Sequence, residues 1–167
     1  MTGDRPFSPD AIHVIRTAQT IHVQLSQMAD QKASILMGAT FVIFTITINQ
    51  ARSSVPPLPL LILGGTAFVA AVFAVLAILP SVRVRDGGPL NLLFFGSFTR
   101  LGEEEFVERL IATLRDDETA YRAMAHDMYQ NGLVLAGKKY RLLGHAYRIF
   151  LVGMSASLAA FIAQRLL

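Results

Sequence analysis

Three kinds of side chain that a nucleotide pocket requires occur in this sequence beside strongly apolar blocks. Lys139 belongs to a group of cations that can meet a phosphate. Asn91 carries an amide that can read the edge of a base, and Phe95 carries a ring that can stack on it. The full set of candidate residues is Asp30, Lys32, Asn91, Phe95, Asp127, Gln130, Lys138, Lys139, Tyr140 and Arg141. Their chemistry predicts a site for a small nucleotide.

The same residues also have a purely structural interpretation. A lysine beside an apolar block, such as Lys32 or Lys138, commonly places its ammonium group at a membrane surface while its stem packs on apolar atoms. This explanation suits a single lysine well, but it suits the acidic Asp30 less well. Both interpretations, ligand site and structural anchor, remain open at the level of sequence.

Other chemistries have no support in the sequence. The four histidines are scattered, and no two have the spacing of zinc ligands on one helix face. There is no cysteine, no G-x-S-x-G motif, no glycine-rich phosphate loop and no cofactor fingerprint. We therefore expect a protein that is not an enzyme and has no cofactor or metal. A net charge of +3 is too small to predict a nucleic-acid polymer as a partner.

The elements that must position these residues include three membrane-spanning helices. Of the 167 residues, 53% are hydrophobic and only 16% are charged, and the apolar residues are concentrated in blocks. Residues 33–51 and 58–80 form two such blocks, each long enough to cross the ~30 Å hydrocarbon core as a helix. Residues 146–165 form a third, in which only residues 149–164 lack charge. This third block spans if its flanking arginines reach the headgroups; the alternative is a buried helix of a soluble core.

The distribution of basic residues predicts the orientation of the spans. Lys32 precedes the first span, Arg83 and Arg85 follow the second, and Lys138, Lys139, Arg141 and Arg148 precede the third. The other side has only Arg52 and Arg165. The positive-inside rule then places residues 1–32 and 81–145 in the cytosol and the C-terminus on the opposite side of the membrane.

The two predicted cytosolic segments read as helical. Residues 8–32 have Ser8 as N-cap and Pro9 at the first helical position, and the helix is expected to continue into the first span. Residues 83–100 read as a loop that contains the turn Asp86-Gly87-Gly88-Pro89. An amphipathic helix follows from Glu103, with an apolar face formed by Phe106, Val107, Leu110, Ile111 and Leu114.

A last helix is expected to begin after a cap at Asp116 or Asp117 and to run from residue 118 to 165. Gly137 and Gly144 are points where it can kink. Together these elements predict an all-α membrane protein: three transmembrane helices with a helical cytosolic domain formed by the N-terminal helix and the segment between spans two and three.

Small and polar residues inside the spans predict assembly. Pairs of small residues four apart, which let helix backbones approach closely, are Ser34/Gly38, Ala67/Ala71, Ala70/Ala74, Gly153/Ser157 and Ala156/Ala160. Thr40, Thr45, Thr47 and Asn49 add polar groups that lipid does not satisfy, so they should face other helices or water. Three helices are too few to enclose a pore alone, so a pore would require a homo-oligomer.

Four motifs, in chain order around the predicted spans, resemble one family. They are Ala29-Asp30-Gln31-Lys32-Ala33-Ser34, Asn91-Leu92-Leu93-Phe94-Phe95-Gly96-Ser97-Phe98, the stretch from Asp127-Met128-Tyr129 through Leu135, and Lys139-Tyr140-Arg141. The chain resembles, from about residue 12 to 165, the transmembrane effectors of Pycsar, the bacterial pyrimidine-cyclase anti-phage system.

The resemblance implies a function. In that family a partner cyclase makes cyclic CMP or cyclic UMP upon phage infection, and the effector binds it on the cytosolic side and compromises the inner membrane, causing abortive infection. No nucleotide site is carried over residue by residue, so the ten candidates above rest on their own chemistry. The alternatives are a holin-like or scaffold membrane protein without a ligand, and an effector gated by a cyclic oligonucleotide.

Overall fold

The computed structural model describes residues 7–8, 10–53, 55–80 and 90–166, and every element in them is helical. The elements are α1 (Ala11–Ser53), α2 (Leu58–Ile78), α3 (Phe95–Phe98), α4 (Glu103–Leu114), α5 (Asp117–Val134), a π-helical segment (Leu135–Tyr140) and α6 (Arg141–Leu166). Pro9, the arginines Arg83 and Arg85, and the turn predicted at 86–89 lie outside the described residues.

Three helices of the described chain are long and apolar enough to cross a membrane. They are α1, α2 and the continuous helix from Asp117 to Leu166, which includes α5, the π-helical segment and α6. The predicted fold class, an all-α membrane protein with three spanning helices, is confirmed. The division into residues 1–32, 33–51, 58–80, 81–145 and 146–165 stays a prediction.

Local sequence explains where these helices begin. Ser8 closes the turn before α1, because its Oγ accepts from the Asp10 N–H at 3.3 Å and its carbonyl accepts from the Ala11 N–H. Pro57 caps α2 in an extended conformation, and Pro59 lies in its first turn, where a missing N–H costs little. Of the two caps predicted for the last helix, the structure selects Asp116, whose carboxylate accepts from the Thr119 N–H at 3.0 Å.

The chain divides into two compact units. The first, called here the polar unit, takes the described residues within Met1–Leu25 and Pro80–Leu135. The second, called here the membrane unit, takes those within Ser26–Leu79 and Ala136–Leu167. Helix α1 is unbroken for 43 residues and contributes to both units, as expected for a helix that leads into the first span.

The membrane unit packs through very small side chains. Helices α2 and α6 pack against each other. Ala67, Ala70 and Ala74 of α2 are fully buried. A Cβ atom on Gly64 would lie 2.6 Å from Thr47 Oγ1, and one on Gly153 would overlap the Thr66 side chain. The small pairs predicted on α2 and at Gly153/Ser157 therefore serve packing within one chain, as small residues do in membrane helices.

Threonine hydroxyls in the spanning helices donate to the backbone of their own helix. Thr45 Oγ1 donates to the Phe41 carbonyl at 2.9 Å, and Thr47 Oγ1 donates to the Ile43 carbonyl at 2.8 Å. Thr40 and Thr66 form equivalent bonds to carbonyls three or four residues earlier. The helix itself thus supplies an acceptor for each hydroxyl. Thr40 is also buried and Thr47 lies against Gly64 of α2, as expected for polar groups that face another helix, whereas Thr45 is exposed.

The polar unit has a looser arrangement. Residues Phe95–Phe98, predicted as loop, form the short helix α3, and Phe98 stacks on Phe106 of α4 with ring centroids 4.6 Å apart. The rest of the apolar face predicted for α4 is largely open: Ile111 is 50% exposed and Leu114 is 62% exposed.

Candidate functional site

The ten predicted site residues fall into two groups, one in each unit. Asn91, Phe95, Asp127 and Gln130 lie in the polar unit. The other six lie in the membrane unit, where they flank the inner ends predicted for spans one and three: Asp30, Lys32, Lys138, Lys139, Tyr140 and Arg141.

Asn91 is the centre of a hydrogen-bond network in the polar unit. It lies just before the turn that leads into α3, and it is 3% exposed. Its Nδ2 donates to Asp127 Oδ1 at 3.1 Å and to Gln130 Oε1 at 2.8 Å, while its Oδ1 accepts from the Leu93 N–H at 2.9 Å. Its backbone N–H donates to Ser97 Oγ at 3.0 Å. Both amide protons of Asn91 are thus engaged inside the protein, and reading a base edge would require it to exchange a partner.

Asp127 is a carboxylate held by amides. It is 8% exposed, and its two oxygens accept from Asn91 Nδ2 and, at 2.9 Å, from Asn131 Nδ2. No cation of the described residues forms an ion pair with it. A buried charged group is tolerated when hydrogen bonds replace its hydration, so the two amides are what allow Asp127 to be buried here.

Gln130 extends the network along α5. Its Nε2 lies 2.8 Å from His126 Nε2, one helical turn earlier. Phe95 contributes no polar contact; it is 58% exposed and its ring contacts Phe94, with centroids 5.1 Å apart. Phe95 is therefore accessible for stacking, whereas Asn91, Asp127 and Gln130 form a bonded cluster.

Lys139 is the centre of the group in the membrane unit. Its Nζ lies 2.8 Å from both carboxylate oxygens of Asp30 and 2.7 Å from Ser26 Oγ. The lysine side chain is 19% exposed and the Asp30 side chain is 45% exposed. Asp30 and Lys139 were both predicted to act on a ligand, and the structure makes them partners that join α1 to the helix carrying the third span.

Lys138 and Lys139 lie in the π-helical segment Leu135–Tyr140. Lys138 Nζ donates to the Leu79 carbonyl at 2.7 Å, at the C-terminal end of α2. A cation at this position satisfies a carbonyl that the helix leaves without a partner and complements the helix dipole. Lys138 thus has a structural contact in addition to any role toward a ligand.

The last three members of this group differ in burial. Tyr140 packs against the apolar cluster of the membrane unit, and the Lys32 carbonyl accepts from the Tyr147 hydroxyl at 3.0 Å. The side chains of Lys32 and Arg141 are exposed. Arg141 in particular is open to an anion at the surface of this unit.

Four contributors were not among the ten candidate residues. Ser97 supports Asn91, His126 contacts Gln130, Asn131 donates to Asp127, and Ser26 shares Lys139 with Asp30. The last three lie four residues from a candidate on the same helix, a spacing that could have suggested them. The bond between Ser97 and Asn91 depends on the α3 turn, for which the sequence has no comparable signal.

No curated protein and no solved structure matches this chain. The profile of one family, described as the Pycsar effector protein domain, matches residues 13–164. The match covers nearly the whole chain, including both groups of site residues and all three spanning helices. It confirms the resemblance seen in the sequence motifs, and this multi-pass membrane protein belongs to the Pycsar effector family, the effectors of an anti-phage defence system rather than its cyclases.

Proposed function

We propose that the protein is a ligand-gated effector that binds a cyclic pyrimidine mononucleotide, cyclic CMP or cyclic UMP, on its cytosolic side and then disrupts the inner membrane. The partner cyclase would supply the nucleotide, and the loss of membrane integrity would cause abortive infection. The protein itself would perform no catalysis and use no cofactor.

One observation carries this proposal: two helices continue from the polar unit into the membrane unit. Helix α1 does so around Leu25, and the helix from Asp117 to Leu166 does so around Leu135. A ligand shifts a conformational equilibrium only through its different affinity for the two states. Continuous helices give a binding event in the polar unit a direct mechanical path to two of the three spans.

The anionic character of the ligand is supported by three cations near the cytosolic ends predicted for spans one and three, called here the boundary cations. The side chains of Lys32 and Arg141 are exposed, and Lys139 forms an ion pair with Asp30. A cyclic nucleotide carries one negative charge, so it can compete with Asp30 for these cations through charge-assisted hydrogen bonds. The ten predicted residues remain our candidates for contacting or responding to the ligand.

The proposed orientation rests on the positive-inside rule. Lys32, Lys138, Lys139, Arg141 and Arg148 lie near the ends of spans one and three that we assign to the cytosol, whereas Arg52 and Arg165 lie at the opposite ends. This arrangement places the polar unit, with the N-terminus, on the side where a cytosolic cyclase would release its product.

Assembly of several copies is supported by the outer side of α1. Ala33, Leu36 and Thr40 are buried within the chain, whereas Ser34, Gly38, Thr45 and Asn49 are exposed on the opposite side of the same helix. A Cβ atom on Gly38 would meet nothing within 4 Å. This small and polar side of α1 is suited to close contact with another copy, and a membrane lesion formed by three-helix subunits requires such contacts.

A leakage assay tests the proposal. The purified protein in dye-loaded liposomes is exposed separately to cyclic CMP, cyclic UMP and a cyclic dinucleotide. We expect leakage with one pyrimidine mononucleotide only. Lys139→Ala and Arg141→Ala should each abolish leakage while the protein remains inserted in the bilayer. The first removes the ion pair with Asp30, and the second removes an exposed guanidinium group two residues further along the chain. Arg148→Ala, about two helical turns beyond Arg141 along α6, serves as the control.

Each other result has a defined meaning. Leakage without any ligand would favour the holin-like alternative, and leakage with the dinucleotide alone would favour a cyclic oligonucleotide. No leakage with any of the three would favour a scaffold. Retained leakage in both Lys139→Ala and Arg141→Ala would exclude the boundary cations from the response.

A further inference from the structure

A cleft of about 260 Å³ opens in the polar unit beside the Asn91 network. Its walls come from the chain at Leu90–Leu92, from Thr113 near the end of α4, and from Thr119, Arg122 and His126 on α5. The apolar part of the lining, called here the apolar wall, comes from Leu90, Leu92 and Ala123, and Arg122 is the charged residue of the lining. A lining with both kinds of side chain suits a ligand that has a flat, weakly polar part and an anionic part.

Arg122 supplies the positive charge of the cleft. Its Nε and Nη2 donate to a single oxygen of Glu118, at 2.8 and 2.6 Å, and its side chain is 76% exposed. A guanidinium group has five N–H donors in a fork that matches phosphate geometry, so this pairing leaves donors available. Arg122 can therefore hold an anionic oxygen in the cleft without first leaving Glu118.

His126 presents a hydrogen-bond donor whose identity follows from the network. The Leu93 N–H can only donate, so it fixes Asn91 Oδ1 as its acceptor and turns Asn91 Nδ2 toward Gln130 Oε1. Gln130 Nε2 must then face His126, and the contact at 2.8 Å makes His126 Nε2 the acceptor. With Nε2 as the acceptor, the ring proton lies on Nδ1, and His126 is one of the residues that line the cleft.

The same chain of bonds connects the cleft to the interior of the polar unit. A ligand that draws on His126 changes the acceptor of Gln130, and Gln130 shares Asn91 with the buried Asp127. Hydrogen-bonded side chains polarise one another, so a ligand bound in the cleft changes the hydrogen bonding of the Asp127 carboxylate on α5.

The volume of the cleft limits the size of the ligand. Clefts for drug-sized molecules measure about 300–1,000 Å³, and this one lies just below that range at about 260 Å³. This small volume favours a mononucleotide over a cyclic dinucleotide, which is a larger ligand.

We propose that this cleft is the binding site for the cyclic pyrimidine mononucleotide, with Arg122 on the cyclic phosphate, His126 Nδ1–H as a second donor, and the apolar wall against the base. The inference rests on the proposed function and assigns its ligand site. Binding occurs in the cleft, and Lys139 with Asp30 takes part in the response rather than in the first contact.

Direct binding separates these roles. The full-length protein in detergent micelles is titrated calorimetrically with cyclic CMP and cyclic UMP. Arg122→Gln should raise the dissociation constant of the nucleotide about tenfold or more, which is equivalent to about 1.4 kcal/mol. Arg109→Gln is the matched control, since Arg109 forms an i,i+4 ion pair with Glu105 on α4, at 2.6 Å, and does not line the cleft. Glu118→Gln should strengthen binding, because it removes a negative charge that competes for Arg122.

The outcomes distinguish the cleft from the proposed function. Binding to the wild type that Arg122→Gln weakens and Arg109→Gln leaves unchanged would support the cleft. If the wild type binds a cyclic pyrimidine nucleotide and Arg122→Gln binds it equally well, the cleft is wrong while the function stands. Loss of binding in Lys139→Ala with normal binding in Arg122→Gln would also overturn the cleft and place the site at the boundary cations. If the wild type binds neither nucleotide, the proposed function fails, and the cleft assignment with it.

Discussion

The two units of this protein bury different kinds of residue. Among the described residues, all the fully buried apolar side chains except Leu135 belong to the membrane unit, and most of them are alanines. In the polar unit the buried side chains beside Leu135 are Asn91, Ser97 and Asp127. One unit is held by close contact of small apolar surfaces, and the other by a few hydrogen bonds that depend on one another.

This difference indicates where the molecule can change. A network of buried polar groups can exchange partners when a ligand offers new ones, whereas closely packed helices resist small displacements. The exposed apolar residues of α4 point the same way, since a region with few buried apolar contacts opens at low free-energy cost. The polar unit is thus the part of the chain suited to sensing, and the membrane unit is the part suited to holding a defined resting arrangement.

The largest effect should come from enlarging a residue at the α2–α6 contact. Gly153→Leu should destabilise the protein by about 3 kcal/mol, because even a Cβ atom there overlaps Thr66 and the two helices must separate. Thermal unfolding in detergent, followed by circular dichroism, measures the change. Gly65→Leu is the control, since Gly65 is exposed on α2 and a Cβ atom there meets nothing within 4 Å. Equal loss of stability in both variants would contradict the proposed packing.

A smaller effect, confined to the other unit, should follow from removing the centre of the network. Asn91→Ala removes the donor to Asp127 Oδ1 and to Gln130 Oε1 and should cost about 2 kcal/mol. Hydrogen exchange should show faster exchange in α3 and α5 and unchanged exchange in α2 and α6. Asn131→Ala, which removes only the exposed donor to Asp127, should have a weaker effect. Faster exchange throughout both units after Asn91→Ala would mean that the two units open together. The contrast between a hydrogen-bonded polar unit and a closely packed membrane unit would then be wrong.

The smallest effect should come from the cation at the end of α2. Lys138→Met removes the bond to the Leu79 carbonyl and should cost about 0.5 kcal/mol, because the side chain is near the surface and water can replace it. The same thermal unfolding assay measures it, ideally at low and high salt, since the dipole contribution is screened by ions. A loss as large as that of Gly153→Leu would show that this lysine holds the unit together rather than completing one helix end.

The sequence predicted those features that depend on neighbouring residues. Length and apolarity were sufficient for three spans, the alternation of small residues indicated close packing, and the Asp116 cap follows from chemistry within three residues of chain. It did not predict helix α3, which has only four residues and is held by contacts such as that of Phe98 with Phe106.

The sequence supplied the candidate residues of the site, but it did not predict which of them contact each other. Asp30 and Lys139 are 109 residues apart, and Asn91 and Asp127 are 36 apart, so no periodicity could show that they contact each other. Each residue was selected because its chemistry fits a ligand. The same chemistry also fits a partner within the chain, and only the fold shows which partner is within reach.

The threonines of the spanning helices have a consequence for lateral rearrangement. Each of Thr40, Thr45, Thr47 and Thr66 donates its hydroxyl proton to a carbonyl of its own helix. A helix that carries its own hydrogen-bond partners can exchange a protein neighbour for a lipid neighbour without leaving a donor unsatisfied. These four hydroxyl groups therefore add polarity to the spans without fixing a helix to its present neighbour.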